Sequence, residues 1–554
     1  MGGMRGLSLL LVPGLIAAAE TPPVERQAKA PGGGLVSLRL LFGKGIRVEA
    51  AQLPKAFRAK GAASSGWLSY EDLSTEGKRW VLQVLWPGDE WRKDEIRHKV
   101  QWPELESVWL LAAVFTGHGQ NYDQLESVNP KNPEKLVAGD VWRIPSSLLS
   151  RDLGGTVTGI VDRSHPEEEL SDEARVAAYR KLLSFDKDAA GGFAAYRLRK
   201  GEALYSSVVM RYTDRVDPKG VNQLAQVIAA RSGIEDVRSI HPGTLIRIPV
   251  EHLADPFQPE GTQALREERE VREEVRRTKR VDAGPRLKGL RIVLDAGHGG
   301  VDIGAAANGV WESDFVYDIA MRVRRILEQD TEAIVSSTIR YPGLGFKVRD
   351  AIPAPTRSAE ILTTPPFAND GDSPTAVSVH LRWVLANDLL TTFLKTGDPR
   401  KTLFISLHAD SLHPSARGVM VYVAGAANVP ATFALGASRG ARVAEMKRSA
   451  KVSFTGMERL QAEARSRVFA ETLLAAFKSD KIPVHPNRPI RNVIHRSGKS
   501  FVPAVIRHCT ASTKVLIEVA NLANEDDAEN LKTANFRERY AEALVSGIRA
   551  HFRK

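Results

Sequence analysis

Four side chains in the second half of the chain have the types and the spacing of a hydrolytic metal centre. His298, His408 and Glu518 each follow a short apolar run of the kind that forms a buried strand. Glycines at 297, 299 and 300 let the backbone turn sharply around His298. Glu312 opens a stretch with apolar residues at helical spacing. Because the carboxyl ends of neighbouring parallel strands meet in one crevice, an α/β sheet would bring these residues together.

Two imidazoles and one carboxylate are typical protein ligands of a hydrolytic zinc site that keeps its fourth position open. We therefore predict that His298, Glu312 and His408 bind Zn²⁺ and that Glu518 acts as the general base. Taken singly, each histidine has the alternative of a hydrogen-bonded turn residue. Each glutamate has the alternative of a solvent-facing charge. The combination of all four favours the metal centre.

These residues resemble the zinc-dependent N-acetylmuramoyl-L-alanine amidases of the Amidase_3 type. The resemblance rests on LDAGHGG around His298, the helix-opening Glu312, FISLHAD around His408 and LIEVANLAN around Glu518, in that order. It covers about residues 288–552. It implies a mixed β-sheet flanked by helices, bound zinc, and hydrolysis of the amide between N-acetylmuramic acid and L-alanine of the stem peptide.

Two stretches depart from that family pattern without touching a proposed ligand. A Pro-rich, polar excursion at 341–375 lengthens the gap between Glu312 and His408, and the residues at 520–524 differ from the usual ones. Two other functions therefore stay open. One is a zinc peptidase or deacylase on the same scaffold, and the other is a silent wall-binding protein whose site is lost or covered by the excursion.

Two segments before the catalytic half share one pattern of elements. Residues 101–150 and 193–253 each predict two helical segments and a closing strand that ends in Ile-Pro, and 193–253 also begins with a clear strand and Gly turn. This pattern is similar to the LysM module, a small glycan-binding βααβ unit. The opening strand of the first copy is hard to find. A generic small α+β domain is the alternative for each, and 32–100 is a folded region of unknown role.

The first nineteen residues have the features of a secretory signal peptide. Arg5 precedes an apolar core at 7–16, and alanines at 17–19 offer a small-residue cleavage site. We expect export to the periplasm or cell wall. An apolar N-terminus inside the cell is the alternative.

Net charge and cysteine content limit the classes of partner and of chemistry that the sequence supports. The net charge of +11 favours an anionic partner, which for an exported protein means peptidoglycan, other wall polymer or membrane surface, and no nucleic-acid-binding signature is found. The single cysteine, Cys509, allows no intrachain disulfide and is more typical of a packed apolar residue than of a nucleophile. Whether an activator protein is needed stays open.

A charged helix and two arginines complete the predictions. Residues 265–280 are almost wholly charged, which predicts an exposed helix within a spacer, 257–285, ahead of the catalytic domain, 286–554. Arg491 and Arg507 are candidates to bind carboxylates of the stem peptide. Surface salt bridges are the alternative for both.

Overall fold

The computed structural model describes most of the chain and divides it into two compact units, Met1–Ser164 and His165–Lys554. The described residues are 22–41, 45–59, 62–117, 121–129, 136–156, 170–199, 201–234, 237, 240–370, 375–436, 442–496 and 499–553. The predicted signal peptide, 1–19, lies outside them. No helix among them is long and apolar enough to cross a membrane.

The N-terminal unit contains two antiparallel sheets on one apolar core. In the strand β2, alternate residues Val36, Leu38 and Leu40 are buried, as expected for a strand with one face on a core. The first sheet and its helix are β1 (Val24–Lys29), β2 (Leu35–Leu41), β3 (Gly45–Glu49), β4 (Trp67–Ser69) and α1 (Thr75–Leu85). The second sheet and its helices are β5 (Glu90–Trp91), β6 (Glu95–Lys99), α2 (Val108–Thr116), α3 (Tyr122–Val128) and β7 (Val141–Pro145).

The second sheet supplies the opening strand that the sequence pattern did not reveal. Strand β6 pairs antiparallel with β7, with α2 and α3 between them, so the order is βααβ. It lies ahead of residue 101, where the module was expected to begin. Its sequence, EIRHK, is mostly charged, and Ile96 is its only apolar residue.

The C-terminal unit begins with a second βααβ arrangement. Its elements are α4 (Asp172–Lys181), β8 (Ser184–Asp188), β9 (Gly191–Arg197), a helical turn (Leu204–Val209), α5 (Met210–Tyr212), α6 (Pro218–Ser232) and β10 (Leu245–Pro249). Strand β9 pairs antiparallel with β10 on one side and with β8 on the other. The Asp217 side chain caps α6 by accepting from the Gly220 N–H, Pro218 takes the first helical position, and Gly233 ends the helix in the left-handed conformation.

A six-stranded mixed sheet forms the centre of the catalytic domain. Its strands, in spatial order, are β14 (Ile334–Ser337), β11 (Arg291–Ala296), β18 (Thr402–Asp410), β25 (Thr513–Asn521), β19 (Met420–Val423) and β22 (Ile490–Arg491). Strands β14, β11, β18 and β25 are parallel, β19 is antiparallel to β25, and β22 is parallel to β19. The predicted mixed α/β fold is confirmed.

Helices cover both faces of this sheet, which is why its strands are apolar on both sides. They are α8 (Glu312–Asp330), α9 (Thr375–Thr396), α10 (Ala444–Ser449), α11 (Gly456–Ser479), α12 (Ala504–Arg507), α13 (Glu525–Lys532) and α14 (Ala534–Phe552). On β11, Ile292 and Leu294 join the core formed with α8, α11 and α14, whereas Val293 joins the core formed with α9 and α12. Short strands complete the domain: β12 (Ala306–Ala307), β13 (Val310–Trp311), β15 (Ile339–Arg340), β16 (Glu360–Ile361), β17 (Phe367–Ala368), β20 (Thr432–Ala434), β21 (Lys451–Ser453), β23 (Ile494–Arg496) and β24 (Lys499–Phe501).

The charged helix α7 (Gln263–Arg277) is not the fully exposed spacer that its sequence predicts. It packs on α11 and buries Leu265, Glu268 and Val271. The Glu268 carboxylate accepts from Arg272 on its own helix and from Arg467 of α11, at 3.1 Å each. The helix is therefore a packed element, held in part by Arg467, which is almost two hundred residues away in the sequence.

Candidate metal centre and substrate cleft

The loop after β11 turns His298 toward the carboxyl end of the sheet. His298 has the left-handed backbone angle φ 63°, which is uncommon for a residue with a side chain. Its Nε2 lies 3.2 Å from Oε2 of Glu312, and its Nδ1 lies 2.9 Å from Oδ2 of Asp302. Burial lowers the pKa of His298, but the two carboxylates outweigh this effect and raise it.

Glu312, the first residue of α8, is buried between the two histidines. Its Oε1 contacts Nδ1 of His408 at 2.8 Å and accepts from the Ala409 N–H at 3.0 Å. Its Oε2 faces His298 and accepts from the Ala305 N–H at 2.9 Å. Burial alone would raise the pKa of this carboxyl, but the imidazoles and N–H groups lower it to about 2. The group is therefore ionised at neutral pH, as a ligand must be.

The predicted ligand set is brought together in one place. One ligand atom from each of His298, Glu312 and His408 lies within 4.8 Å of the others. Two neutral imidazole nitrogens and one carboxylate oxygen match the donor preference of zinc. The residues present therefore fit the metal that the sequence predicted.

Two glycines lie so close to this cluster that a side chain at either position would clash with it. A Cβ on Gly304 would lie 2.4 Å from Oε2 of Glu312 and 2.8 Å from Cδ2 of His298, and its φ is +70°. A Cβ on Gly297 would lie 2.6 Å from Cε1 of His408. Any side chain at either position would displace a ligand.

Glu518 lies beside the cluster on the next strand. Strands β18 and β25 place His408 and Glu518 in register as neighbours. Glu518 is buried, yet it lines the same cleft as the three ligands. A carboxylate in this cleft can serve as a general base.

Three charged residues that support the site were not selected from the sequence. Asp302 orients the His298 ring. Arg382 on α9 donates to the carbonyl oxygen of His298 and lies 3.6 Å from the buried Asp295. Asp295 also accepts from Thr338 and Ser406 side chains. The position of Asp302, four residues after His298 in the same Gly-rich loop, was the available signal.

The cluster opens into a cleft of about 630 Å³. One wall comes from α9. The other is largely apolar and comes from Ile494 and from residues within 501–507. None of the described residues of the 341–375 excursion lines it. Instead, Asn369 donates to the carbonyl of Gly299 at 2.5 Å and its own carbonyl accepts from the Val301 N–H at 3.2 Å. The described part of the excursion braces the His298 loop and does not line the cleft.

The two predicted substrate arginines have different positions. Arg491 is buried away from the cleft and donates to the backbone and side-chain oxygens of Asp214 at 2.8 and 3.3 Å. The prediction for Arg491 was wrong, because this long-range ion pair holds the second βααβ module to the catalytic domain. Arg507 does line the cleft. Cys509 is fully buried, and burial raises its pKa to about 11, which fits a packed residue.

Comparison with known families agrees with this geometry. Residues 292–382 and 369–550 match the Amidase_3 family model, described as N-acetylmuramoyl-L-alanine amidase. Together the two matches span 292–550, most of the C-terminal domain. Both proposed histidine ligands, Glu312 and Glu518 fall within the matched residues.

Individual relatives each match about half of the chain. N-acetylmuramoyl-L-alanine amidase AmiC of Escherichia coli O6:H1 is 25% identical over 265 residues, 47% of this chain and 52% of AmiC. The chain therefore spans about half the length of that relative. Among solved structures, Ami1 of Mycobacterium smegmatis is 19% identical and covers 48% of this chain and 97% of its own, with a TM-score of 0.28. The CwlD amidase of Clostridioides difficile, solved with the GerS lipoprotein, is 16% identical and covers 48% and 98%, with a TM-score of 0.30.

Proposed function

We propose that the protein is a zinc-dependent N-acetylmuramoyl-L-alanine amidase that cleaves the amide bond between N-acetylmuramic acid and L-alanine in peptidoglycan. The observation that carries the proposal is the cluster of His298, Glu312 and His408 beside Glu518, at the base of an open cleft in an Amidase_3 domain.

Different residues of the chain would carry out metal binding, ligand positioning and proton transfer in the hydrolysis of the amide. A zinc ion held by the three ligands would supply Lewis acidity to the attacking water and to the scissile carbonyl. The Asp302 carboxylate lies 2.9 Å from Nδ1 of His298, which favours a proton on Nδ1 and so leaves Nε2 to face the metal. Glu518 would accept the proton of the attacking water on a carboxylate oxygen and then pass it to the nitrogen of the departing L-alanine.

The N-terminal part of the chain would deliver this chemistry to the wall. We propose that the two βααβ modules bind glycan strands in the manner of LysM modules, supported by their element order and antiparallel strand pairing. Binding of the polymer raises the local substrate concentration without changing the chemical step. Export by the predicted signal peptide would place the enzyme in the periplasm or cell wall.

The bond that is cut distinguishes this function from the alternatives. Purified peptidoglycan digested by the zinc-loaded protein should release stem peptides that begin with L-alanine and leave glycan strands with free lactyl carboxylates. In ¹⁸O-labelled water, the label should enter those lactyl carboxylates. New termini inside the stem peptide would indicate a zinc peptidase instead. Polymer that is bound but intact would indicate a silent wall-binding protein.

A further inference from the structure

Two arginines line the cleft among the described residues, Arg382 and Arg507. Arg507 pairs with no carboxylate among the described residues. Arg507 is half-buried at the end of α12 and lines the cleft. Its Nε donates to Nε2 of His508 at 3.2 Å, and no other described side chain bonds to it. Burial lowers the pKa of Arg507.

The other arginines near the site have structural partners. Arg382 bonds to the carbonyl of His298 and lies near Asp295, and Arg491 pairs with Asp214. A desolvated cation that the fold leaves without an anion costs free energy unless a ligand supplies one. Arg507 is therefore placed to meet an anionic group of the substrate.

The neighbours of Arg507 engage its Nε and leave its two terminal nitrogens available for a ligand. His508 is fixed by stacking on Phe433, with ring centroids 3.9 Å apart, and by Trp383 at 5.3 Å. Burial lowers the pKa of His508 to about 3, so its neutral ring can accept the Nε proton of Arg507. The two terminal nitrogens then form the planar fork that binds a carboxylate through two hydrogen bonds.

The same wall strengthens such a contact. Phe501, Val502 and Val505 line the cleft beside Arg507, and apolar surroundings make a charge-assisted hydrogen bond stronger than it is in water. In a stem peptide, the anion that lies nearest to the scissile amide is the α-carboxylate of the second residue, D-glutamate.

We propose that Arg507 is a specificity-determining residue that binds this α-carboxylate, so that the enzyme prefers stem peptides in which D-glutamate is not amidated. The inference rests on the proposed amidase function.

The test compares two synthetic muramyl tripeptides that are identical except at one group. The α-carboxyl of D-glutamate is free in one and a carboxamide in the other, while the γ-carboxyl is amide-linked in both. The zinc-loaded full chain should cleave the free acid with a kcat/KM about tenfold or more above that of the amide, as expected for a hydrogen bond between charged groups. Equal kcat/KM values would overturn the inference and leave the amidase function intact. Cleavage of neither tripeptide would overturn both.

Variants show whether Arg507 is the residue responsible. Arg507→Gln should lose activity on the free acid alone, mainly through KM, and so abolish the preference. Arg507→Lys should keep part of the preference, because it retains the charge but not the fork. The control Arg400→Gln removes an exposed arginine that precedes the amino end of β18, opposite the cleft, and should keep the full preference. An equal loss on both tripeptides in Arg507→Gln, with zinc retained, would indicate a structural role and overturn the inference. A preference that survives in Arg507→Gln would overturn it as well.

Discussion

The four site residues fall into two groups by position. His298, Glu312 and His408 form one group, and Glu518 stands apart from them. The first three direct ligand atoms at one another within 4.8 Å, whereas Glu518 lies on the neighbouring strand and lines the cleft. This geometry supports the proposal that the first three hold the metal and that Glu518 moves a proton. The two roles can be tested independently.

His298→Ala and Glu518→Gln should separate metal binding from activity. His298→Ala removes a proposed ligand. It should lower zinc affinity beyond the roughly 10–100-fold loss that is typical when a residue hydrogen-bonded to a ligand is changed. Glu518→Gln should keep one zinc per chain and lower kcat by about 10²–10⁴, as expected for a lost general base. Zinc content by mass spectrometry and release of L-alanine termini measure the two effects.

His413→Ala is the matched control for the histidine change. His413 stacks on Tyr205, outside the cluster, so its loss should leave zinc content unchanged. Loss of zinc from Glu518→Gln would instead make Glu518 a ligand and contradict the division of roles.

Gly304→Ala should weaken the site by steric displacement alone. The added Cβ would fall 2.4 Å from a Glu312 carboxylate oxygen, at a backbone angle that disfavours any side chain. We expect zinc affinity to fall by about tenfold or more, the scale of a disturbed metal shell. Gly343→Ala adds the same methyl group where nothing lies within 4 Å, and it should bind zinc like the wild type. Equal affinity in both variants, measured by titration against a chelator, would contradict the packing argument.

At the scale of elements, the described residues of the 341–375 excursion support the site and do not line the cleft. Arg349 and Thr356, both within it, bond to the fully buried carboxylate of Asp314 in the first turn of α8. Glu312 lies two residues earlier on the same turn. The excursion therefore fixes the start of the helix that presents the central ligand.

Arg349→Met should loosen this turn. Removing one partner from a buried ion pair typically costs about 3–5 kcal/mol, and because Thr356 still bonds to Asp314 we expect about 2–4 kcal/mol here. Zinc affinity should fall together with the free energy of unfolding, measured by urea denaturation. Lys347→Ala removes an exposed cation from the same segment and should change neither value. An Arg349→Met protein with wild-type stability would show that the excursion does not support α8.

Elements with strong local patterns were predicted correctly from the sequence. Predictions failed for residues whose role depends on a partner far away in the sequence. The apolar runs before His298, His408 and Glu518 are local, and they sufficed to place three strand ends in one crevice. Arg491 was misassigned because its partner, Asp214, is 277 residues away. The charged helix α7 looked exposed because Arg467, which pairs with its Glu268, belongs to another helix. No local pattern carries such information.

At the scale of the whole molecule, each unit contains one βααβ module. The module of the N-terminal unit contains a buried histidine between two carboxylates. In the N-terminal module, His98 is fully buried between Asp89 at 2.9 Å and Glu106 at 3.1 Å. Burial lowers the pKa of His98, but the hydrogen bonds to both carboxylates outweigh it and raise the pKa to about 9.

This histidine should make the stability of the N-terminal unit depend on pH. Because the folded pKa lies above the unfolded value of about 6.5, the contribution is fully present below pH 6.5 and is lost as the pH rises through about 9. We expect a loss of about 2–3 kcal/mol across that range. Seven of the nine tryptophans belong to this unit, so fluorescence-detected unfolding of the full chain reports on it. His98→Gln should be less stable at pH 6 and lack this slope, and an unchanged slope would refute the assignment.

The measurement that tests the central claim most directly is a zinc titration of the metal-free full chain on purified peptidoglycan, followed by mass analysis of the released peptides. We predict that one equivalent of zinc restores full release of stem peptides with L-alanine amino termini, and that a chelator abolishes it. Release of those peptides at full rate in the presence of the chelator, or zinc-dependent cleavage at a different bond only, would contradict the account.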